Sequence, residues 1–129
     1  MASELRVNTL KDASGNNSVA TSVVFNGTAK AWGSYQMNSS NAINDSYNVS
    51  SQTDTATGHS TIAWTSSMQT GYAVGNICSD QCHLCANQGS SEAFNTAFTS
   101  ASAKFSATTD SGTDIDSNVN GFAIFGDLA

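Results

Sequence analysis

The chain has 129 residues, enough for one domain, and carries ten acidic but only four basic side chains, for a net charge of −6. Four basic side chains cannot build the positive surface that binding to nucleic acid or to an anionic membrane requires. The apolar runs fall short of the ~20 residues that span a bilayer. We therefore expect no nucleic acid among the partners and no membrane insertion.

The composition favours strands over helices. Only 11% of the residues are charged, whereas Ser, Thr and Asn together number 48. Thr suits the pleated surface of a strand, and Ser and Asn suit turns. Soluble helices normally carry many Glu, Lys and Arg residues, which are scarce here. The amino-acid composition therefore indicates an all-β protein.

Short apolar alternations separated by Gly, Asn, Asp and Ser clusters predict about eight strands at spacings of ~8–12 residues. In chain order the predicted strands cover residues 5–10, 22–25, 28–37, 46–53, 60–68, 71–78, 103–110 and 119–127. The predicted connections are a loop at 11–18, a turn at Asn26–Gly27, a polar loop at 38–45 and a turn at 54–60. This pattern predicts an antiparallel, jelly-roll-like β-sandwich domain over residues 21–129, preceded by a strand-and-turn leader at 1–20.

The segment from residue 90 to residue 105 does not fit the strand pattern. Phe94 and Phe98 are four positions apart, as are Ala93 and Ala97. This spacing predicts a short helix near 91–99, with Ser91 as its cap. A long polar excursion is the alternative, and the sequence leaves both open.

The stretch between Phe25 and Val74 carries an ordered set of short motifs. They are A-K-A-W at 29–32, D-S-Y-N-V-S-S at 45–51, D-T-A-T-G at 54–58, an alternating strand at 61–64, Met68, and Y-A-V at 72–74. In order and spacing they resemble a module of tail fibres and other surface proteins of marine bacteriophages. The opening residues, 5–18, are also similar to the leader that precedes this module. The family often has Met-Pro where this chain has Met68–Gln69, and the cysteine-containing segment at 78–85 is not part of its pattern.

The resemblance implies a virion structural protein that is usually trimeric and has no enzymatic activity, no cofactor and no catalytic residues. We expect a tail-fibre or appendage component that contacts other virion proteins and a glycan of the host surface. A capsid decoration protein and a carbohydrate-binding or adhesin module are the alternatives. Assembly in the bacterial cytoplasm is expected, because the first residues lack the basic and apolar regions of a signal peptide.

All three cysteines lie in C-S-D-Q-C-H-L-C, residues 78–85. Their C-x3-C-x2-C spacing is the one that holds a [4Fe–4S] cluster in radical S-adenosylmethionine enzymes, but the chain is too short for the α/β barrel which that chemistry needs. A zinc site from Cys78, Cys82, His83 and Cys85 is one alternative. A disulfide from Cys78 to Cys82 or Cys85 is another. Free thiols are the third, and the sequence leaves all three open.

Three aromatic side chains are candidates for stacking on sugar rings, namely Trp32, Trp64 and Tyr72. Because they lie on the motif strands, contacts in the core or between subunits of a trimer compete with that role.

Two further polar features have an ordinary and a functional interpretation. The acidic loop at 110–118 contains Asp110, Asp114 and Asp116, which can form a solvated turn or bind calcium. Its spacing is not that of an EF-hand loop. His59 lies in a predicted turn, and we expect it to be a surface histidine.

Overall fold

A computed structural model describes residues 3, 5–38, 41–69, 73–78, 82–85 and 97–129, and gives only the backbone of 73, 78 and 82–85. Within these residues the chain forms ten strands in three antiparallel sheets and one helix of seven residues. The prediction of an all-β fold is therefore confirmed. In the described part of the chain, no helix has the length and apolar character needed to cross a membrane.

A hairpin and the helix form an N-terminal arm, residues 9–27. Strand β1 (Thr9–Lys11) pairs with β2 (Ser18–Ala20), and helix α1 (Thr21–Gly27) follows directly. The strand predicted at 22–25 and the turn predicted at Asn26–Gly27 were wrong. The β-branched pair in S-V-V-F favours a strand locally, but the Lys30 ammonium donates to the carbonyls of Phe25 and Thr28. These hydrogen bonds satisfy backbone carbonyls at the C-terminal end of the helix. The local sequence pattern does not indicate them.

Two four-stranded sheets form the rest of the fold. In chain order their strands are β3 (Ala31–Tyr35), β4 (Ile43–Tyr47), β5 (Val49–Ala56), β6 (His59–Trp64), β7 (Ala73–Cys78), β8 (Cys82–Cys85), β9 (Ser102–Thr109) and β10 (Asn120–Phe125). The first sheet has the order β4-β3-β10-β7, and the second has the order β5-β6-β9-β8. The chain therefore passes from the first sheet to the second between β4 and β5, and again between β7 and β8.

The first of these crossings occurs at Asn48. The sequence predicted a loop at 38–45 and one strand at 46–53, but the structure has two strands in different sheets, which meet at this residue. Asn48 adopts a left-handed conformation with φ 56°, which Asn tolerates better than most residues. Its side-chain amide donates to the carbonyls of Lys30 and Ser66, each at 3.1 Å, and its oxygen accepts from the Ser66 N–H at 2.7 Å. These bonds fix the corner.

An aromatic cluster fills the space between the two sheets. Phe105 of β9 stacks on Phe122 of β10 with ring centroids 5.2 Å apart, and Trp64 of β6 lies 5.8 Å from the same ring. Tyr35 of β3 completes the cluster, 6.1 Å from Phe122 and 6.3 Å from Phe105. Burial raises the pKa of the Tyr35 hydroxyl, and the hydrogen bond from Ser60 opposes that rise. The contacts join the sheets as in a β-sandwich.

The region around the predicted helix is only partly described. Of residues 91–99, only 97–99 lie within the described part of the chain, so the predicted helix and its cap at Ser91 stay predictions. The described chain resumes at residue 97, and β9 confirms the strand predicted at 103–110. Strand β8 was not predicted, because C-H-L-C is too short to show a period and its partner β9 lies about twenty residues further on.

Asp12 organises the loop of the N-terminal hairpin. The Asn17 side-chain amide donates to Asp12 Oδ2 at 2.8 Å, and the Ser14 hydroxyl donates to Oδ1 at 3.1 Å. The Asn16 N–H also donates to Oδ1, at 3.0 Å. The hydrogen bond from Asn17, assisted by the others, lowers the pKa of the Asp12 carboxyl. The loop is therefore built around an ionised carboxylate.

We expect this loop to loosen in acid before the sandwich does. Because the pKa of Asp12 is lower in the folded hairpin than in the unfolded chain, its stabilising contribution is present above about pH 4 and is lost as the pH falls through the folded-state pKa. The side-chain amide resonances of Asn17 should follow that titration in NMR spectra. In the Asp12→Ala variant the pH dependence of these resonances should disappear. An unchanged titration in that variant would contradict the role of the Asp12 carboxylate in the loop.

Candidate interaction surface

The three aromatic side chains proposed to bind sugars have different positions. Trp64 is buried in the aromatic cluster, which leaves no exposed ring face for a ligand. Tyr72 lies outside the described residues. Trp32 is exposed on the outer face of the first sheet, and its register partner on β4 is Tyr47, which is also exposed. Tyr47 was not predicted to be a surface residue, because only strand pairing places it beside Trp32.

The cysteines lie where the chain crosses from one sheet to the other. Cys78 ends β7 opposite Asn120, and Cys82 begins β8 opposite Thr109. The side chains of Cys78, Cys82, His83 and Cys85 lie outside the described part of the structure. The zinc site, the disulfide and the free thiols therefore all stay predictions.

The acidic loop binds the turn between β5 and β6. Asp116 Oδ1 accepts the Gly58 N–H at 2.6 Å, and Asp114 Oδ2 lies 3.1 Å from His59 Nε2. The His59 side chain is 16% exposed and Asp114 is 49% exposed, so the histidine predicted at the surface is partly covered by its contact with Asp114. Among the described residues, no group of three or more His, Cys, Asp or Glu side chains is arranged to hold a metal ion. These polar contacts hold the loop and the turn together.

A groove of about 580 Å³ separates the N-terminal arm from the first sheet. We call it the arm groove. Its large apolar side chains are each 39–54% exposed, and they are Leu10, Val24, Phe25, Trp32, Tyr47 and Leu128. Contiguous exposed apolar patches are uncommon on monomeric soluble proteins, which makes this groove a candidate interaction surface. The arm groove is thus an apolar surface with three contributors: the arm, the first sheet and residue 128.

Lys30 fixes the arm at one end of this groove. Besides its bonds to the carbonyls of Phe25 and Thr28, its ammonium lies 4.0 Å from the centroid of the Phe25 ring. Its backbone N–H donates to the Ile124 carbonyl at 2.7 Å. The side chain is buried, so these contacts occur where water screens them little. Lys30 therefore joins the end of α1 to the centre of the first sheet.

A second groove, of about 490 Å³, lies on the outer face of the first sheet. We call it the β10 trough. Gly121 and Ala123 of β10 and Gly75 of β7 form its floor, and Trp32 and Ile77 stand on either side. Glycine within a strand often marks a place where a ligand or another backbone approaches closely. The residues that line the trough all lie within the described chain, and none of them is charged.

The two grooves meet at Trp32, which lines both. Together they form one mainly apolar surface whose lining is uncharged, apart from the buried Lys30 at its edge. The structure thus defines a small β-sandwich protein with an apolar arm and an apolar sheet face. Comparison with protein-family models, curated proteins and solved structures finds no match to this chain.

Proposed function

We propose that this protein is a non-enzymatic structural protein of a bacteriophage virion, a tail-fibre or appendage subunit that assembles with copies of itself as a trimer. The observation that carries the proposal is the continuous apolar surface formed by the arm groove and the β10 trough. Such a surface on a chain of high overall polarity is suited to contacts between subunits. The position on the particle comes from the motifs between Phe25 and Val74, which resemble phage surface modules.

The fold is suited to this role for a second reason. An isolated two-stranded hairpin is only marginally stable in water, and so is a helix of seven residues. The arm consists of both, and none of the seven residues of α1, all of them described, is buried. A neighbouring subunit that covers the arm would supply the missing apolar contacts. We therefore assign the arm to subunit assembly rather than to the stability of the monomer.

A capsid decoration protein is the alternative within the same class, because clamping neighbouring capsomers requires the same kind of apolar surface. A carbohydrate-binding module is the second candidate, and the adjacent exposed rings of Trp32 and Tyr47 favour it. If it is correct, a host glycan should change the fluorescence of the wild-type protein, and the Trp32→Ala variant should lose the binding. A glycan array without a hit would count against that candidate.

Two measurements test the main proposal. In native mass spectrometry the purified protein should have three times the subunit mass of 13.3 kDa. An antibody raised against it should label purified particles of the virus that encodes it, at the tail for a fibre or at the shell for a decoration protein. A monomer at every concentration, or particles without label at either place, would overturn the assignment to a virion subunit.

A further inference from the structure

The chain contains two Asn–Gly dipeptides, Asn26–Gly27 and Asn120–Gly121, and the fold places them in opposite surroundings. Asn–Gly is prone to spontaneous deamidation, because glycine has no side chain to hinder the approach of its backbone nitrogen to the asparagine side chain. We propose that Asn26 is a self-modification site, which converts to aspartate and isoaspartate in the folded protein, whereas Asn120 is protected. Water is the only co-reactant, and the site is independent of the proposed virion role.

The reaction has two balanced steps, and neither needs an oxidant or a reductant. In the first, the Gly27 backbone nitrogen loses its proton and attacks Cγ of the Asn26 side chain. A C–N bond forms, the bond from Cγ to the amide nitrogen breaks, and ammonia leaves with a proton, which gives a five-membered succinimide ring. In the second, water opens the ring at either carbonyl. The products are aspartate and isoaspartate, each with one new carboxylate.

Asn26 lies where the backbone can reach the reactive geometry. It is exposed in the last turn of α1 and does not line the arm groove, and none of the hydrogen bonds among the described residues involves its side chain. A Cβ added at Gly27 would meet no heavy atom of a neighbouring element within 4 Å. A helix of seven residues without a side-chain cap or a buried residue is marginal, and its ends open readily. Opening brings the Gly27 nitrogen within reach of the Asn26 side chain.

The same dipeptide on β10 is held in place. Asn120 is fully buried, and its side-chain amide donates to the carbonyl oxygens of Ser117 at 3.2 Å and of Tyr35 at 3.5 Å. Gly121 belongs to a central strand that pairs with β3 on one side and with β7 on the other. The Gly121 nitrogen can attack the Asn120 side chain only when this strand leaves the sheet, and such an opening costs a large part of the global stability.

The position of Asn26 gives its modification a structural consequence. The Lys30 ammonium donates to the carbonyl of Phe25, which precedes Asn26, and to the carbonyl of Thr28, which follows Gly27. Isoaspartate routes the backbone through the side chain and adds one carbon between these two carbonyls, which alters their spacing around Lys30. The new carboxylate also lies at the C-terminal end of a helix, where negative charge is unfavourable. Deamidation should therefore loosen the arm from the first sheet.

Ageing the purified protein at mildly alkaline pH, with and without urea, tests the site. Trypsin separates the two dipeptides into the peptides 12–30 and 105–129, and mass spectrometry detects the replacement of an amide by a carboxyl group and assigns it to one asparagine. In the folded protein Asn26 should be modified at least about tenfold faster than Asn120, whereas in urea the two rates should become similar. If Asn26 is modified only in urea, or if the two rates are equal in the folded protein, the inference is overturned.

Gly27→Ala is the matched variant, because the added Cβ fits the structure and hinders the attack on the Asn26 side chain. Alanine is also the better helix former, so α1 should be preserved. In this variant Asn26 should stay unmodified during ageing. Hydrogen exchange of residues 18–27 should become faster as the wild type ages and should stay constant in the variant. If exchange in the deamidated wild type matches that of the fresh protein, the arm is not loosened, and the structural consequence is contradicted while the modification site stands.

Discussion

Replacing Phe105 by alanine is expected to lower the free energy of unfolding by about 3–5 kcal/mol. The Phe105 side chain is fully buried, and its ring packs against those of Tyr35 and Phe122 at the junction of the two sheets. Its removal loses the burial of an aromatic ring and leaves a cavity that two paired sheets cannot easily close. A domain of this kind has a total stability of only about 5–15 kcal/mol, so the variant should be close to unfolding.

Urea denaturation, followed by the near-ultraviolet signal of the aromatic core, measures this loss. Phe125→Ala is the matched control, because it removes the same side chain from the exposed end of β10. We expect the free energy of unfolding of the control variant to fall by less than about 1 kcal/mol. Equal losses in the two variants would contradict the position of the core between the sheets.

Replacing Gly58 by alanine should be the second most damaging of these changes. Gly58 has φ +71°, and a Cβ at this position would lie 2.7 Å from the Ala107 carbonyl oxygen and 2.8 Å from the Ile115 nitrogen. The backbone is held there, because the Ala107 N–H donates to the Gly58 carbonyl at 2.7 Å and the Gly58 N–H donates to Asp116. We expect the free energy of unfolding to fall by about 1–2 kcal/mol because of the left-handed conformation. The steric overlap should lower it by a further ~1–3 kcal/mol.

Gly112→Ala separates these two effects. Gly112 has φ +79°, but no heavy atom lies within 4 Å of the added Cβ. Both substitutions therefore meet similar backbone strain, and only the one at Gly58 also causes a steric overlap. In thermal unfolding the melting temperature of Gly58→Ala should fall clearly below that of Gly112→Ala. Equal melting temperatures would show that the contact between the turn and residues 107–115 does not constrain the fold.

The local sequence pattern was sufficient to predict much of the sandwich. The short apolar segments at 103–110 and 119–127, bounded by Gly, Asn, Asp and Ser residues, predicted β9 and β10 nearly at their observed bounds. The turn at 54–60 was also predicted, since Gly58 supplies the positive φ that a two-residue connection between strands needs. These features depend on residues that are close together in the chain.

The features that were missed depend on distant residues. The C-terminal end of helix α1 is held by hydrogen bonds from Lys30, and no pattern within residues 21–27 indicates them. The corner at Asn48 is fixed by Ser66, eighteen positions away. His59 and Asp114 are 55 positions apart, and the arm groove joins Leu10 to Leu128. Most strands of the sandwich could be predicted, whereas the two grooves could not, because they form only when strand order brings these side chains together.

The two tryptophans differ in exposure, so the intrinsic fluorescence of the protein can report association. Trp64 is 6% exposed within the core, whereas Trp32 is 39% exposed where the two grooves meet. Iodide in solution can therefore quench the emission of Trp32 and hardly reaches Trp64. When a second molecule covers the grooves, the quenchable fraction of the emission should fall and the maximum should shift to the blue. Association can thus be followed in real time, without a label, on the unmodified chain.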